Sequence, residues 1–199
     1  GDAMEEYYGQ GGYTEMAQQH GFTTVNLNHA EPVVYDMPDS EFFKEISIAK
    51  IATDKDNYFI NIPKMKTHNL AVTTLCMKNL MGTLTPPDKR HLCSFPQELG
   101  NRYNEMSSNG IELREEVLCK RLSDLSTVLK PDFNIIEGIV GRDGTAFRHG
   151  KNIQTNLVIG GNNATTVDAV ASYLMGLEPS AIGYLKIALQ RELGAIEIE

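Results

Sequence analysis

Tyr58-Phe59-Ile60-Asn61-Ile62-Pro63-Lys64-Met65-Lys66-Thr67-His68 is the stretch on which the fold turns. Its first five residues form a short apolar run ended by a proline, the profile of a central strand. The turn signal Asp54-Lys55-Asp56-Asn57 introduces the run. If the chain stays extended beyond Pro63, the i, i+2, i+4 spacing points Lys64, Lys66 and His68 to one side. In open α/β sheets ligands sit beyond the carboxyl ends of the strands, and this is such an end.

Working outward, Ile46–Ala52 alternates as a half-buried strand and Leu70–Leu80 is apolar with helical spacing, closed by Gly82 and Pro86-Pro87. Tyr13–Gln19 reads as a helix, Phe22–Leu27 as a strand, and Asn28–Ser40 as a loop holding a short strand at Val33–Tyr35. Residues 83–109 read as irregular. Ile111–Leu129 is the best helix, with a stripe of Leu118, Leu122, Leu125 and Leu129 and a stop at Lys130-Pro131. Phe133–Val140 and Asn156–Ile159 read as strands around the Gly-rich loop Gly141–Gly150. Helices over Thr165–Met175 and Ala181–Leu193 follow. Strands interleaved with helices of this length predict an α/β fold: a central, largely parallel or mixed sheet flanked by helices, in one domain over residues 1–199.

The 199-residue chain carries −8, yet Asn61 to Pro96 holds Lys64, Lys66, Lys78, Lys89 and Arg90 against Asp88 alone. That window is +4 and leaves −12 for the rest, so a positive island on an acidic protein predicts focused attraction for a small anion. Overall acidity argues against non-specific nucleic-acid binding. No apolar run approaches the ~20 residues of a membrane span and no signal-peptide pattern opens the chain, so no membrane partner is expected. Cys76, Cys93 and Cys119 are odd in number and too widely spaced for a zinc or iron–sulfur site of this chain alone, which points to a reducing cytoplasm.

The segment Asn61–His68 followed by Met77-Lys78-Asn79-Leu80-Met81-Gly82 resembles the signature of the Domain of Unknown Function 362 family. So do Ile136–Ile139, the Gly-rich loop to Gly150, and Thr166–Val170 leading to Leu174-Met175-Gly176. The resemblance covers roughly residues 20 to 190. It implies an α/β fold without a settled reaction, and an association with ferredoxin-like, Cys-rich modules, of which this chain has none. It also implies a family unit extending upstream, with Gly1-Asp2 as the turn after a further strand and helix and this chain as its C-terminal part.

Around the basic strand end, His68, Lys66 and Glu137 are the candidate catalytic residues. His68 would donate or accept a proton because its ordinary pKa lies near neutrality. Glu137, set in an apolar strand, needs a partner if buried, and Lys64 or Lys66 is in position to be one, as a structural ion pair or an acid/base couple. Lys64, Lys78, Asn79, Arg142, Asp143 and Asp168 are the candidate ligand-binding residues; for Asp168 the competing reading is a carboxylate that complements a helix dipole. The turn Gly160-Gly161-Asn162-Asn163 before a helix could offer its amides to an anion. No dinucleotide fingerprint, Walker loop or nucleophile elbow is present, and His68, His91 and His149 lack metal-ligand spacing, so no metal site is assigned and the cofactor stays unknown. Two functions fit: a redox or group-transfer enzyme acting on a small anionic ligand, phosphate- or carboxylate-bearing, or a non-catalytic docking domain for an acidic, ferredoxin-like protein partner. The oligomeric state is left open.

Overall fold

The computed structural model describes residues 4–86, 108–144 and 150–198. Lys89, Arg90, His91, Cys93, Arg148 and His149 lie outside these residues. Helices α1 (Met4–Gln10) and α2 (Tyr13–His20) open the chain, and a hairpin of β1 (Pro32–Asp36) and β2 (Glu45–Ala49) follows as a separate two-stranded antiparallel sheet. The second sheet contains β3 (Ile60–Asn61), β4 (Lys64–His68), β5 (Val72–Thr74), β6 (Phe133–Asp143) and β7 (Lys151–Gly161). Strand β6 is its axis. Strands β3 and β4 run parallel to it, β7 pairs with it antiparallel, and β5 pairs antiparallel with β4. The sheet is therefore mixed, and with its helices the chain is an α/β fold.

The helical layer contains α3 (Cys76–Asn79), α4 (Ser108–Val128), α5 (Ala164–Leu174) and α6 (Gly183–Gln190). Leu118, Leu122, Leu125 and Leu129 are buried as their spacing predicts, packed with Ile46 and Ile48 of β2 and with Tyr184, Leu185 and Ala188 of α6. A smaller cluster of Met65, Leu75, Cys76, Ile136, Val167 and Ala171 joins the sheet to α5.

Three local readings are corrected. Phe22–Leu27 is not a strand: it ends in a 3-10 turn over Leu27–His29, and Phe22 and Val25 stay exposed. A strand needs a neighbour to take its hydrogen bonds, and among the described residues none pairs with this segment. Tyr58–Ile62 shrinks to the two residues of β3, and Tyr58, Ile60 and Ile62 are exposed rather than doubly covered. Leu70–Leu80 is not one helix; its first part turns back as β5 and only Cys76–Asn79 is α-helical, followed by a 3-10 turn over Leu80–Thr83. An apolar run of that length has no intrinsic preference strong enough to resist a tight turn set by its neighbours.

Candidate functional site

Strand β4 continues past Pro63 in extended form, so its side chains alternate. Met65 is buried against the α5 side of the sheet, while Lys64, Lys66 and His68 occupy the opposite face. The β4–β5 connection is unusually tight. His68 and Val72 are register partners; Val72 sits at φ +62°, which a β-branched residue rarely adopts, and the Thr73 N–H reaches the Ala71 carbonyl at 2.6 Å. The His68 ring helps to hold this turn, with Nδ1 accepting the N–H groups of Leu70 and Ala71, both at 3.1 Å.

Two consequences follow for His68. Its Nδ1 lone pair faces two donors, so the neutral ring carries its proton on Nε2. Its pKa is lowered to about 4 by burial, then by the positive charges of Lys78 and Lys66. The near-neutral titration expected from its residue type is therefore overturned. At pH 7 this imidazole is a neutral N–H donor, and its Nδ1 is engaged by the backbone. The positive charges of Lys66 and Lys78 both act on His68, although they lie on different elements.

Glu137 is also placed differently from a buried strand carboxylate. It forms an ion pair with Lys64, its register partner, in which the two side chains are 45% (Lys64) and 35% (Glu137) exposed. Its other oxygen accepts the N–H groups of Ile139 at 2.9 Å and Val140 at 3.4 Å, where the β6 ladder shifts register. Lys64 and these amides hold the carboxyl below its usual range, with the Lys64 hydrogen bond the largest cause. Of the two lysines named as partners, Lys64 takes the role. Lys66 has no ion pair among the described residues.

The remaining candidates divide. Lys78 and Asn79 end α3; the Asn79 Nδ2 donates to Asn61 Oδ1 at 2.8 Å, and Asn61 Nδ2 donates in turn to Asn134 Oδ1 and to the Cys76 carbonyl. This buried amide relay was not read from the sequence, where Asn61 and Asn134 look like interruptions of apolar strands. Arg142 stands in register with Lys66 and donates to Asn152 Oδ1 at 2.9 Å. Asp143 accepts from Thr67 Oγ1 at 3.1 Å.

Asp168 is away from any surface. It is fully buried, and its two oxygens accept the N–H groups of Cys76 at 2.7 Å and Met77 at 3.0 Å, with Tyr184 Oη 3.4 Å away. It complements the start of α3 rather than of its own helix. Burial pushes its pKa up to about 7 against the pull of those amides. The Gly160–Asn163 turn is likewise spoken for: Asn163 caps α5 by accepting the Thr166 N–H at 2.9 Å and donates to the Leu193 carbonyl. Cys76 and Cys119 are buried free thiols, with burial raising both and taking Cys119 to about 12. Among the described residues no group of three or more His, Cys, Asp or Glu side chains gathers as a metal site, and no helix is long and apolar enough to cross a membrane.

Comparison with known proteins gives this arrangement a family but no reaction. The model of the family described as "Domain of unknown function (DUF362)" matches residues 1–173, and the chain belongs to that family. It is 27% identical over 156 residues to the "Thylakoid-associated protein sll1697" of Synechocystis sp., a match covering 78% of this chain and 43% of that protein. The chain thus spans less than half the length of the curated relative it matches. No solved structure matches it.

Proposed function

We propose that this DUF362 chain holds a small anion, phosphate- or carboxylate-bearing, on the basic face of β4. The observation that carries the reading is the extended β4, which sets Lys66 beside a His68 ring whose Nδ1 is held by the backbone, leaving Nε2–H as a donor. Lys64 is paired with Glu137, and Lys66 supplies positive charge beside His68, with Lys78 and Asn79 at the end of α3, where Asn79 is held by the Asn61 relay. The chemistry proposed for the bound anion is redox or group transfer. In it His68 contributes a hydrogen bond rather than a proton at neutral pH, and Glu137 positions Lys64.

Titration with inorganic phosphate and with citrate, followed by calorimetry, tests the reading. Saturable binding by the wild-type protein that weakens about tenfold in Lys66→Gln and in Lys78→Gln is expected, roughly the loss of one charge-assisted contact. Failure of both anions to bind at millimolar concentration, or binding indifferent to both substitutions, would overturn it.

A second reading, docking of an acidic ferredoxin-like protein, is favoured by the open surface beside Lys64, where Ile62 and Val158 are 60% and 63% exposed. It predicts affinity for such a protein that falls steeply with added salt, with no saturable small-anion site on the protein alone. For compartment, two buried free thiols suit the reducing cytoplasm, which we propose over the thylakoid association carried in the relative's name. Fractionation of the native host would choose between them.

A further inference from the structure

On the other face of the same strand lies a cavity that the anion reading does not use. Met65 and Thr67 of β4, Gly141, Arg142 and Asp143 of β6, Ile153 and Thr155 of β7, and Leu174, Met175 and Leu177 at the end of α5 line an open concavity of about 410 Å³. That volume is in the range of small-molecule sites. At its floor β6 carries glycine where it crosses Met65. A Cβ on Gly138 would sit 2.8 Å from Met65 Cε, and one on Gly141 would meet Met65 Sδ at 3.6 Å. The thioether of Met65 therefore lies against the bare backbone of β6. Around the cavity Ile153 and Leu174 remain 45% and 50% exposed, apolar surface left in water next to a concavity.

We infer that this cavity between β4, β6, β7 and the end of α5 is a binding site for a planar heteroaromatic molecule. Two methionine thioethers, Met65 and Met175, offer the polarizable contacts that aromatic rings favour. Ile153, Leu174 and Leu177 supply apolar walls against which a flat ring packs. Asp143, which accepts from the Thr67 hydroxyl, is a carboxylate at the same wall and selects a ring with an N–H donor on its edge. The ligand class differs from that of the basic face: here the body of the molecule is buried in apolar contacts and its edge, not a net negative charge, is recognised.

The test is NMR of protein carrying 13C-labelled methionine methyls, titrated with adenosine and with lumichrome, two uncharged planar rings bearing N–H donors. Met65 and Met175 are assigned by their Met→Leu substitutions. The expected result is saturable ring-current movement of the Met65 and Met175 methyls while the exposed Met16 methyl stays still. Cyclohexanol, which is neither planar nor aromatic, should move them far less. Leu174→Glu, at an exposed position that tolerates charge, should weaken the ring's affinity by about tenfold with the spectrum otherwise intact. Absence of movement with both rings at millimolar concentration, equal movement of Met16, or unchanged affinity in folded Leu174→Glu would each overturn the assignment.

Discussion

The carboxylate of Asp168 accepts the backbone N–H of Cys76 at 2.7 Å across 92 residues of chain. This bond ties α5 to the start of the four-residue helix that ends in Lys78 and Asn79. A helix that short does not hold itself together in water. The position of two candidate ligand contacts therefore depends on a buried acid that touches no ligand.

Asp168→Asn should destabilise the protein by about 2 kcal/mol at about pH 4, because its NH2 group is set against the Met77 N–H, whereas the protonated carboxyl can turn its single hydrogen away. The deficit should depend on pH with a definite sign. The folded pKa of Asp168 is raised to about 7 from 3.8, so its contribution is fully present below about pH 4 and is lost as pH rises towards 7. Urea denaturation of both proteins at several pH values should show the deficit shrinking between pH 4 and 7. A deficit that grows instead would contradict the assignment.

His68 should titrate with a midpoint near 4 when followed by NMR of its ring carbons. Since the folded value is depressed below 6.5, the unfolded chain takes up the proton first, and stability should fall as pH drops from about 6.5 to 4. This slope opposes that of Asp168, so each is read as a difference from its own variant. A midpoint above 6 would remove the basis for treating the ring as a neutral donor.

Lys78→Gln and Lys66→Gln should each raise the His68 midpoint, Lys78→Gln by the larger amount, because both charges depress it and that of Lys78 does so more strongly. The same spectra would report this without any ligand. A midpoint unmoved by either change would mean that neither lysine's charge acts on the ring.

His68→Asn and His68→Ala should separate the two roles of the ring. Asparagine places an acceptor near the Nδ1 position and should keep the Leu70 and Ala71 bonds, whereas alanine abandons both at a cost of about 1–3 kcal/mol. Both should lose phosphate affinity if Nε2–H contacts the anion. Full affinity in His68→Asn would confine the ring to holding the turn.

Lys64→Met should cost less than about 1 kcal/mol, as expected for a half-exposed ion pair. Glu137→Ala should cost more, because it also strips the acceptor from the Ile139 and Val140 amides. A double-mutant cycle in urea measures the pair, and equal costs for the two substitutions would show that the amide bonds contribute nothing.

Patterns that depend on near neighbours were legible. The leucine stripe of α4 repeats at the helical period and is buried as read; the spacing of Lys64, Lys66 and His68 placed them on one face because a strand alternates. The Lys64–Glu137 pair was anticipated as one of two choices, since an acid amid apolar strand residues calls for a cation. Whether Glu137 is buried was not legible, because exposure depends on what covers a strand, which the strand's own residues do not encode. Leu70–Leu80 misled for a related reason: its apolar spacing suits a helix, but His68 and Val72 enforce a turn through it.

Composition, periodicity and charge placement by themselves determined the α/β class, the main helices and the position of the basic strand. These follow from local propensity and from which side chains prefer to leave water. Only the tertiary structure decided the charge state of His68, the burial of Asp168 beneath α3, the Asn61–Asn134 relay and the cavity over Met65. Each of these depends on groups dozens of residues apart meeting where water is largely excluded. There, burial and a few hydrogen bonds outweigh the properties that a residue carries in isolation.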